Sequence, residues 1–183
     1  MTTFVALLRG INVGKAKRVP MAELRAMLTG LGYSSVATLL NSGNAIFNTA
    51  SGTAAAAAKH AAAISAVIAD SLKFDVPVIV KSTDELAAII AENPLAEQLA
   101  DASRLLVVFV QDAKSLTDLS AIAPLLLPTE QFVIGANAAY LQCASGILES
   151  KAGAALVGKV GKFATTRNWA TVLKLQALAA DAG

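Results

Sequence analysis

The sequence predicts an α+β fold, and three observations carry this prediction. Short apolar runs of strand length alternate with longer segments in which apolar residues recur at three- and four-residue steps. Two pairs of short strands are each joined by a few turn-forming residues. The order strand, helix, hairpin, helix then occurs twice along the 183 residues. Because a hairpin flanked by crossover helices is typical of the ferredoxin-like sandwich, we expect two such βαββ(α) halves and a C-terminal helix.

The first half is predicted over residues 1–95. The run at 4–8 is continuously apolar and suits a buried strand. Pro20 favours a first helical turn and Gly32 stops the amphipathic segment that follows it. The residues at 41–44, Asn-Ser-Gly-Asn, are typical of a tight hairpin turn. The remaining predicted elements are strands at 36–40, 45–47 and 76–80, an alanine-rich helix at 53–72, and a helix whose capping box is Ser82-Thr83-Asp84-Glu85.

The second half is predicted over residues 103–183, packed with the first half as one compact unit. Its last helix, at about 167–180, has Thr165 or Thr166 as its expected N-cap. One side of that helix carries Trp169, Val172, Leu173 and Gln176, and an outward row carries Arg167, Thr171 and Lys174. The other predicted elements are strands at 105–110, 131–134 and 139–142, a short helix at 115–122, and a helix at 147–157.

Composition excludes several classes of protein. Alanine supplies much of the 55% hydrophobic content, and the most apolar long stretch, 53–72, is interrupted by Lys59, His60 and Asp70. We therefore expect no membrane span. The N-terminus lacks the pattern of an export signal, and the single cysteine, Cys143, cannot form an internal disulfide. These features favour a cytoplasmic protein.

The net charge of +2 conceals a strong asymmetry along the chain. Residues 1–22 contain four basic residues and no carboxylate, and residues 150–180 contain five basic residues and no carboxylate. Residues 23–149 carry a net charge of −6. Such asymmetry indicates an anionic partner, although short segments also vary in charge by chance.

The first basic segment contains Gly10-Ile-Asn-Val-Gly14-Lys15, directly after the first predicted strand. This segment is one residue shorter than a phosphate-binding P-loop, and Ala16 stands where a magnesium-binding hydroxyl is required. The nucleoside-triphosphatase interpretation is therefore rejected. A weaker interpretation remains, in which glycines let backbone amides approach an anion among Arg9, Lys15, Lys17 and Arg18. The alternative is an ordinary flexible loop between a strand and a helix.

Metal and cofactor chemistry is not expected. One histidine and one cysteine, far apart in sequence, do not form a usual zinc or iron site. We expect His60, which lies among alanines, to be exposed, and Cys143 to be a poor nucleophile. The basic segments contain no histidine or carboxylate that could move a proton, which counts against catalysis. They also lack the interleaved aromatic residues of a stacking surface for nucleic acid bases.

Four ordered blocks of the sequence resemble the signature of a known family. They are Leu7-Leu8-Arg9-Gly10-Ile11-Asn12-Val13-Gly14, Met21-Ala22-Glu23-Leu24, Ser42-Gly43-Asn44 and Thr166-Arg167-Asn168-Trp169-Ala170-Thr171-Val172. From about Phe4 to Leu178 the chain resembles the domain-of-unknown-function 1697 family of mostly bacterial proteins. Asn41, Ala170 and the segment at 149–152 depart from the usual family pattern. The resemblance implies two ferredoxin-like halves, no established activity and no catalytic residues.

Three functions remain open from the sequence. The leading hypothesis is a module that binds an anionic small molecule or a nucleic-acid backbone, with the two basic segments meeting in space. The first alternative is an enzyme for a phosphorylated substrate, in which Tyr33, Tyr140 or Lys151 lies beside the bases. The second is a non-catalytic interaction protein, and the oligomeric state is not predicted. The candidate ligand-binding residues are Arg9, Asn12, Lys15, Lys17, Asn44, Arg167, Asn168 and Lys174.

Overall fold

Two antiparallel four-stranded sheets provide the framework of the chain in a computed structural model that describes residues 1–14, 16–50, 53, 56–98 and 101–183. The chain divides into two compact units. The first unit comprises Met1–Leu86 and Leu175–Gly183, and the second comprises Ala87–Lys174. Each sheet belongs to one unit, so each unit is described by itself.

The first unit has the ferredoxin-like order of elements. Its strands are β1 (Thr2–Leu8), β2 (Ser34–Leu39), β3 (Asn44–Thr49) and β4 (Val78–Ser82), and its crossover helices are α1 (Met21–Gly30) and α2 (Ala57–Leu72). The strands lie in the order β2-β3-β1-β4, and all paired neighbours are antiparallel. The predicted ferredoxin-like topology is confirmed.

Strand β1 is buried along both of its faces. Phe4, Ala6 and Leu8 on one face belong to the core that α1 and α2 cover, where Leu24 and Ile64 are also fully buried. Full burial of an aliphatic or aromatic side chain of this size stabilises the fold by roughly 1.5–3 kcal/mol. The continuous apolar run therefore predicted this strand correctly.

A capping box begins the helix that follows β4, α3 (Thr83–Ala91). The Glu85 N–H donates to Ser82 Oγ at 3.2 Å, and the Ser82 N–H donates to Glu85 Oε2 at 2.8 Å. The two side chains thus satisfy each other's backbone donors. The capping box predicted from the sequence is confirmed.

The second unit has the same strand topology with different crossovers. Its strands β5 (Leu105–Val110), β6 (Gln131–Ile134), β7 (Ala139–Gln142) and β8 (Ala164–Asn168) lie in the order β6-β7-β5-β8. The first crossover, predicted as a short α-helix, is a 3-10 helix at Ala113–Leu125. The second consists of a 3-10 turn at Ile147–Glu149 and α4 (Lys151–Val157), which replace the single helix predicted at 147–157. Further 3-10 turns lie at Ala96–Gln98 and Ala102–Arg104.

Strand β8 is the element that sequence reasoning missed. It pairs with β5 in antiparallel register, with Arg167 opposite Val107. Its sequence, Ala-Thr-Thr-Arg-Asn, has no apolar alternation, so it resembled the capped start of a helix. The last helix, α5 (Trp169–Ala182), consequently begins two residues later than predicted.

The buried face of α5 also differs from the predicted one. Trp169 and Val172 are buried as expected, but the stripe continues through Leu175 and Ala179. Leu173 is 41% exposed. The predicted stripe through Leu173 and the observed stripe through Leu175 both have helical spacing, so periodicity alone did not distinguish them. Among the described residues, no helix is long and apolar enough to cross a membrane.

Candidate functional site

The loop between β1 and α1 is organised around Asn12. Its backbone is left-handed, with φ of 56°, a conformation that asparagine tolerates better than most residues. Its Nδ2 donates to the Val19 carbonyl at 3.0 Å, and its Oδ1 accepts from the Val19 N–H at 2.9 Å. The Asn12 N–H also donates to the Lys17 carbonyl at 3.1 Å. The loop is therefore closed on itself by one asparagine side chain.

The same loop is joined to the turn between β2 and β3. Asn12 Nδ2 donates to the Asn41 carbonyl at 2.7 Å, and the Leu8 N–H donates to the Gly43 carbonyl at 2.8 Å. Gly43 has φ of 82°, and a Cβ atom there would lie 2.7 Å from both Ile11 Cδ1 and Leu8 Cβ. Only glycine fits this close approach. The sequence blocks at 7–14 and 42–44 are thus brought together within the first unit.

Asn44 supports the turn from inside. It is fully buried, and its Nδ2 donates to the Leu39 carbonyl at 2.9 Å and to Ser42 Oγ at 3.0 Å. Like Asn12, Asn44 uses its amide group to hold backbone, so both asparagines shape the site from within the fold.

A cavity of about 320 Å³ lies beside this loop and turn. It opens where α1 begins, and Pro20 is the N-cap residue of that helix. Proline has no side-chain acceptor, so it cannot cap the first N–H groups of the helix, which have no partners within it. The described lining residues are Asn12, Arg18, Val19, Pro20, Met21 and Asn41.

The basic residues of the loop have different surroundings. Arg9 is half-buried, and burial lowers the pKa of its guanidinium. Lys17 is exposed, and its Nζ donates to the Asp75 carbonyl at 2.9 Å. This contact is made to the backbone of Asp75 rather than to its carboxylate. Arg18 is exposed, and Lys15 lies outside the described residues.

Arg167 does not lie on an exposed helical row, so that prediction is wrong. It belongs to β8 and is only 8% exposed. One guanidinium nitrogen donates to Thr165 Oγ1 at 2.9 Å and to the Thr166 carbonyl at 2.8 Å. Burial lowers the pKa of Arg167 to about 10. Thr171, the next member of the predicted row, is buried as well.

The N-cap of α5 is Asn168, and the predicted Thr165 or Thr166 cap is wrong. Asn168 Oδ1 accepts from the Thr171 N–H at 2.9 Å. Asparagine is among the preferred N-cap residues, because its side chain replaces a missing helical acceptor. Lys174 is exposed on α5. Within the second unit, then, Lys174 is the exposed cation among the three C-terminal candidates.

The structure distributes the candidate residues over both units. Arg9, Asn12, Lys17 and Asn44 belong to the first unit, and Arg167, Asn168 and Lys174 belong to the second. Sequence reasoning named Arg18 among the bases of the loop but left it, like Asn41, out of the candidate set, although both line the cavity. Arg18 lies directly before the predicted helix and Asn41 begins the predicted turn, and these positions were the signal that could have identified them as site residues.

His60 is half-buried in an aromatic cluster, and its predicted exposure is wrong. Its Nδ1 lies 2.8 Å from the Tyr33 hydroxyl, and its ring lies near Phe4 and Phe47, with centroids 4.9 and 5.7 Å away. Burial lowers the pKa of His60 and raises that of Tyr33. Its Nε2 is buried and has no hydrogen-bond partner among the described atoms. The alanines around it in sequence concealed this environment, because they lie on the helix and the rings lie on the sheet.

The other side chains considered for catalysis are either buried within the fold or exposed at the surface. Tyr140 is fully buried, and its hydroxyl lies 2.6 Å from the Ile89 carbonyl and 2.9 Å from Glu92 Oε1. Lys151 is exposed at the start of α4. Cys143 is buried, which raises the pKa of its thiol. In the part of the chain that the structure describes, no three histidine, cysteine or acidic residues are grouped to hold a metal ion.

Comparisons with known proteins give a fold from one solved structure and a family from one sequence model, and neither names an activity. A conserved bacterial protein from Streptococcus pneumoniae has a similar structure, with a TM-score of 0.78 and 24% sequence identity over 97% of this chain and 98% of that protein. No curated protein matches the sequence. The family described as "Protein of unknown function (DUF1697)" matches residues 1–140, which contain the loop, the start of α1 and the hairpin turn. The chain therefore belongs to the DUF1697 family.

Proposed function

We propose that the chain binds a small phosphate-bearing ligand in the cavity at the start of α1. The observation that carries this proposal is the cavity lining, in which the described residues include the cation Arg18 and two asparagines but no carboxylate. Arginine recognises phosphate through a planar fork of donors. An anion in this cavity would meet the guanidinium of Arg18 and the side-chain amide of Asn41, since both hydrogens of Asn12 Nδ2 are donated to backbone carbonyls.

The backbone around the cavity also favours an anion. Helix α1 has ten residues, and the first N–H groups of the helix give its N-terminus a partial positive charge. Pro20 leaves those groups without a side-chain cap. Glu23, exposed in the first turn, acts against the anion. Arg18 lines the cavity, whereas Glu23 is not among its described lining residues.

Cavity size favours a small molecule over a polymer. Ligand pockets in proteins usually enclose about 300–1,000 Å³. At about 320 Å³, this cavity suits one phosphate with a sugar or a similar group. Pro20 and Met21, which are at least partly exposed, supply an apolar wall for that group. Asn41, in the hairpin turn, also lines the cavity, and its side-chain amide is suited to hydrogen bonds with sugar hydroxyls.

Fewer residues support the proposal than the sequence suggested. Asn12 and Asn44 shape the site through their contacts with backbone, and Asn168 caps a helix. Arg167 is buried and holds its own strand. The proposed direct contacts are therefore Arg18 and Asn41, which line the cavity, with Lys15 as a further candidate from the sequence. Lys17 is not one of the described lining residues, and its Nζ donates to the Asp75 carbonyl.

A thermal-shift screen tests the proposal. The panel is inorganic phosphate, ribose 5-phosphate, adenosine 5′-monophosphate and a twelve-nucleotide single-stranded DNA. A ligand at a hundred times its dissociation constant stabilises the fold by about 2.7 kcal/mol, which raises Tm by roughly 5–11 °C for a chain of this length. We expect such a shift with a phosphorylated small molecule.

Matched variants locate the binding. Arg18→Ala should remove most of the ligand-induced shift, whereas Lys114→Ala, which removes an exposed lysine of the second unit, should leave it unchanged. A shift that survives Arg18→Ala would place the ligand elsewhere. A shift with the oligonucleotide alone would favour a nucleic-acid backbone, and no shift across the panel would contradict the proposal.

A further inference from the structure

An apolar groove lies beside α4 in the second unit, and it shares no described lining residue with the proposed ligand site. Its volume is about 530 Å³, and it is lined by Ile147, Ala154, Val157 and Gly158. Val157 is 59% exposed, which is high for a valine in a helix. The groove is large enough for one or two aliphatic side chains from another molecule.

Local sequence explains why the groove forms. Ser150 caps α4 by accepting from the Gly153 N–H at 2.9 Å. Gly153 lets the helix approach Ile147, since a Cβ atom at this position would lie 2.8 Å from Ile147 Cγ1. Ala152 and Leu156 face the core, while Ala154 and Val157 are exposed. The short helix thus presents a second apolar stripe to solvent.

The chain segments on either side of the groove residues are basic, and their three lysines are called the lysine border. Lys151 begins α4, one turn before Ala154, and Lys159 and Lys162 follow the end of the helix. All three lysines are exposed, and the exposed acid in the adjoining turn is Glu149. These segments therefore carry a formal charge of about +2, from three lysines and one glutamate.

We infer that this groove binds an acidic segment of another protein that inserts an aliphatic side chain beside Val157. The apolar floor provides an anchor of the kind that dominates protein interfaces, and the lysines complement flanking carboxylates. A second copy fits less well, because the symmetric contact that most dimers use would place the two lysine borders against each other. A membrane fits less well because the apolar surface is a concave groove rather than a protruding patch.

Peptide selection followed by affinity measurement tests the inference. Twelve-residue peptides from a random display library are selected on the full chain, synthesised with a fluorescent label and titrated by fluorescence polarisation. We expect the enriched peptides to combine at least one aliphatic residue with two or more carboxylates. Their affinity should fall with increasing salt, because the lysine border contributes to binding.

Variants of the groove decide whether the peptides occupy it. Val157→Asp should raise Kd at least tenfold, and Lys159→Ala should raise it about threefold. Val157→Ala, which adds no charge, serves as a second variant with a smaller expected increase. Lys114→Ala, a lysine outside the border, should leave Kd unchanged. Circular dichroism of each variant shows whether the fold is retained.

Several outcomes would overturn the inference. These are no enrichment of acidic peptides, or peptides that bind Val157→Asp as tightly as the original chain. Binding to phosphatidylserine vesicles that depends on Val157 would replace the proposed protein segment with a membrane. Self-association in sedimentation velocity that Val157→Asp abolishes would replace it with a second copy.

Discussion

Glu92 holds the hairpin turn between β6 and β7, and its replacement should destabilise the chain measurably. Its Oε1 accepts from the Asn137 N–H at 3.0 Å, from the Ala138 N–H at 3.1 Å and from the Tyr140 hydroxyl at 2.9 Å. Its Oε2 accepts from Asn137 Nδ2 at 2.9 Å. Gly135 allows this approach, since a Cβ there would lie 2.6 Å from Glu92 Oε1.

The magnitude follows from the donors that lose their acceptor. Hydrogen bonds to a charged group are each worth about 1.5–3 kcal/mol, and Glu92→Ala leaves two backbone N–H groups and one side-chain amide without the carboxylate. Asn137 is half-exposed, so water replaces part of the loss. The Tyr140 hydroxyl retains the Ile89 carbonyl. We therefore expect Glu92→Ala to lower the free energy of unfolding by about 2–3 kcal/mol.

Urea denaturation of the full chain measures this loss. Glu97→Ala, which removes an exposed glutamate of the same unit, is the matched control and should change stability by less than about 0.5 kcal/mol. Glu92→Gln keeps the shape and one acceptor oxygen, so about half of the loss is expected. If Glu92→Ala unfolds at the same urea concentration as Glu97→Ala, the account of this turn is wrong.

The same carboxylate predicts a dependence on pH. Burial alone would raise the pKa of Glu92, but the four hydrogen bonds outweigh burial and hold that pKa below its usual value. A lowered pKa in the folded chain means that the stabilisation is present above about pH 4.5 and is lost as pH falls further. Glu92→Gln should flatten this part of the stability profile.

Two further predictions concern the first unit. Gly43→Ala should destabilise the chain by about 2–4 kcal/mol in urea denaturation, because it adds a Cβ 2.7 Å from Leu8 and strains a φ of 82°. Gly30→Ala, in a helix with no atom within 4 Å of the added Cβ, should stabilise it by about 0.5–1 kcal/mol, and equal effects at the two glycines would contradict this. For His60, whose pKa burial lowers, wild-type stability should fall as pH drops below about 6.5. His60→Phe should reduce that slope between pH 7 and 5, and an unchanged slope would show that the pKa of His60 is the same in the folded and unfolded chain.

Several strands were predictable because apolar runs and turn-forming residues in the local sequence indicate them. The apolar runs of β5 and the turn-bounded segments of β6 and β7 match the predicted bounds at both ends. Strand β8 was missed because it is an edge strand of polar residues, whose strand conformation comes from pairing with β5. Such long-range pairing leaves no local period to detect.

The candidate site was only partly predictable for a related reason. A charged residue is usually exposed, so Arg167 was placed at the surface, and its burial depends on the strand that periodicity missed. Asn12 was correctly singled out from its loop, but its backbone partners Val19 and Asn41 are up to 29 residues away. Arg18 and Asn41 meet at one cavity because the loop and the hairpin turn are joined, which no spacing in the sequence shows.

The most direct test of the central claim is a ¹H–¹⁵N NMR titration of the full chain with the panel member that gives the largest thermal shift. We expect the amide signals of Arg18, Val19, Met21 and Asn41 to move in a saturable way, and the same titration of Arg18→Ala to show much smaller shifts. Shifts confined to residues outside the loop, the hairpin turn and the start of α1 would contradict the proposed site.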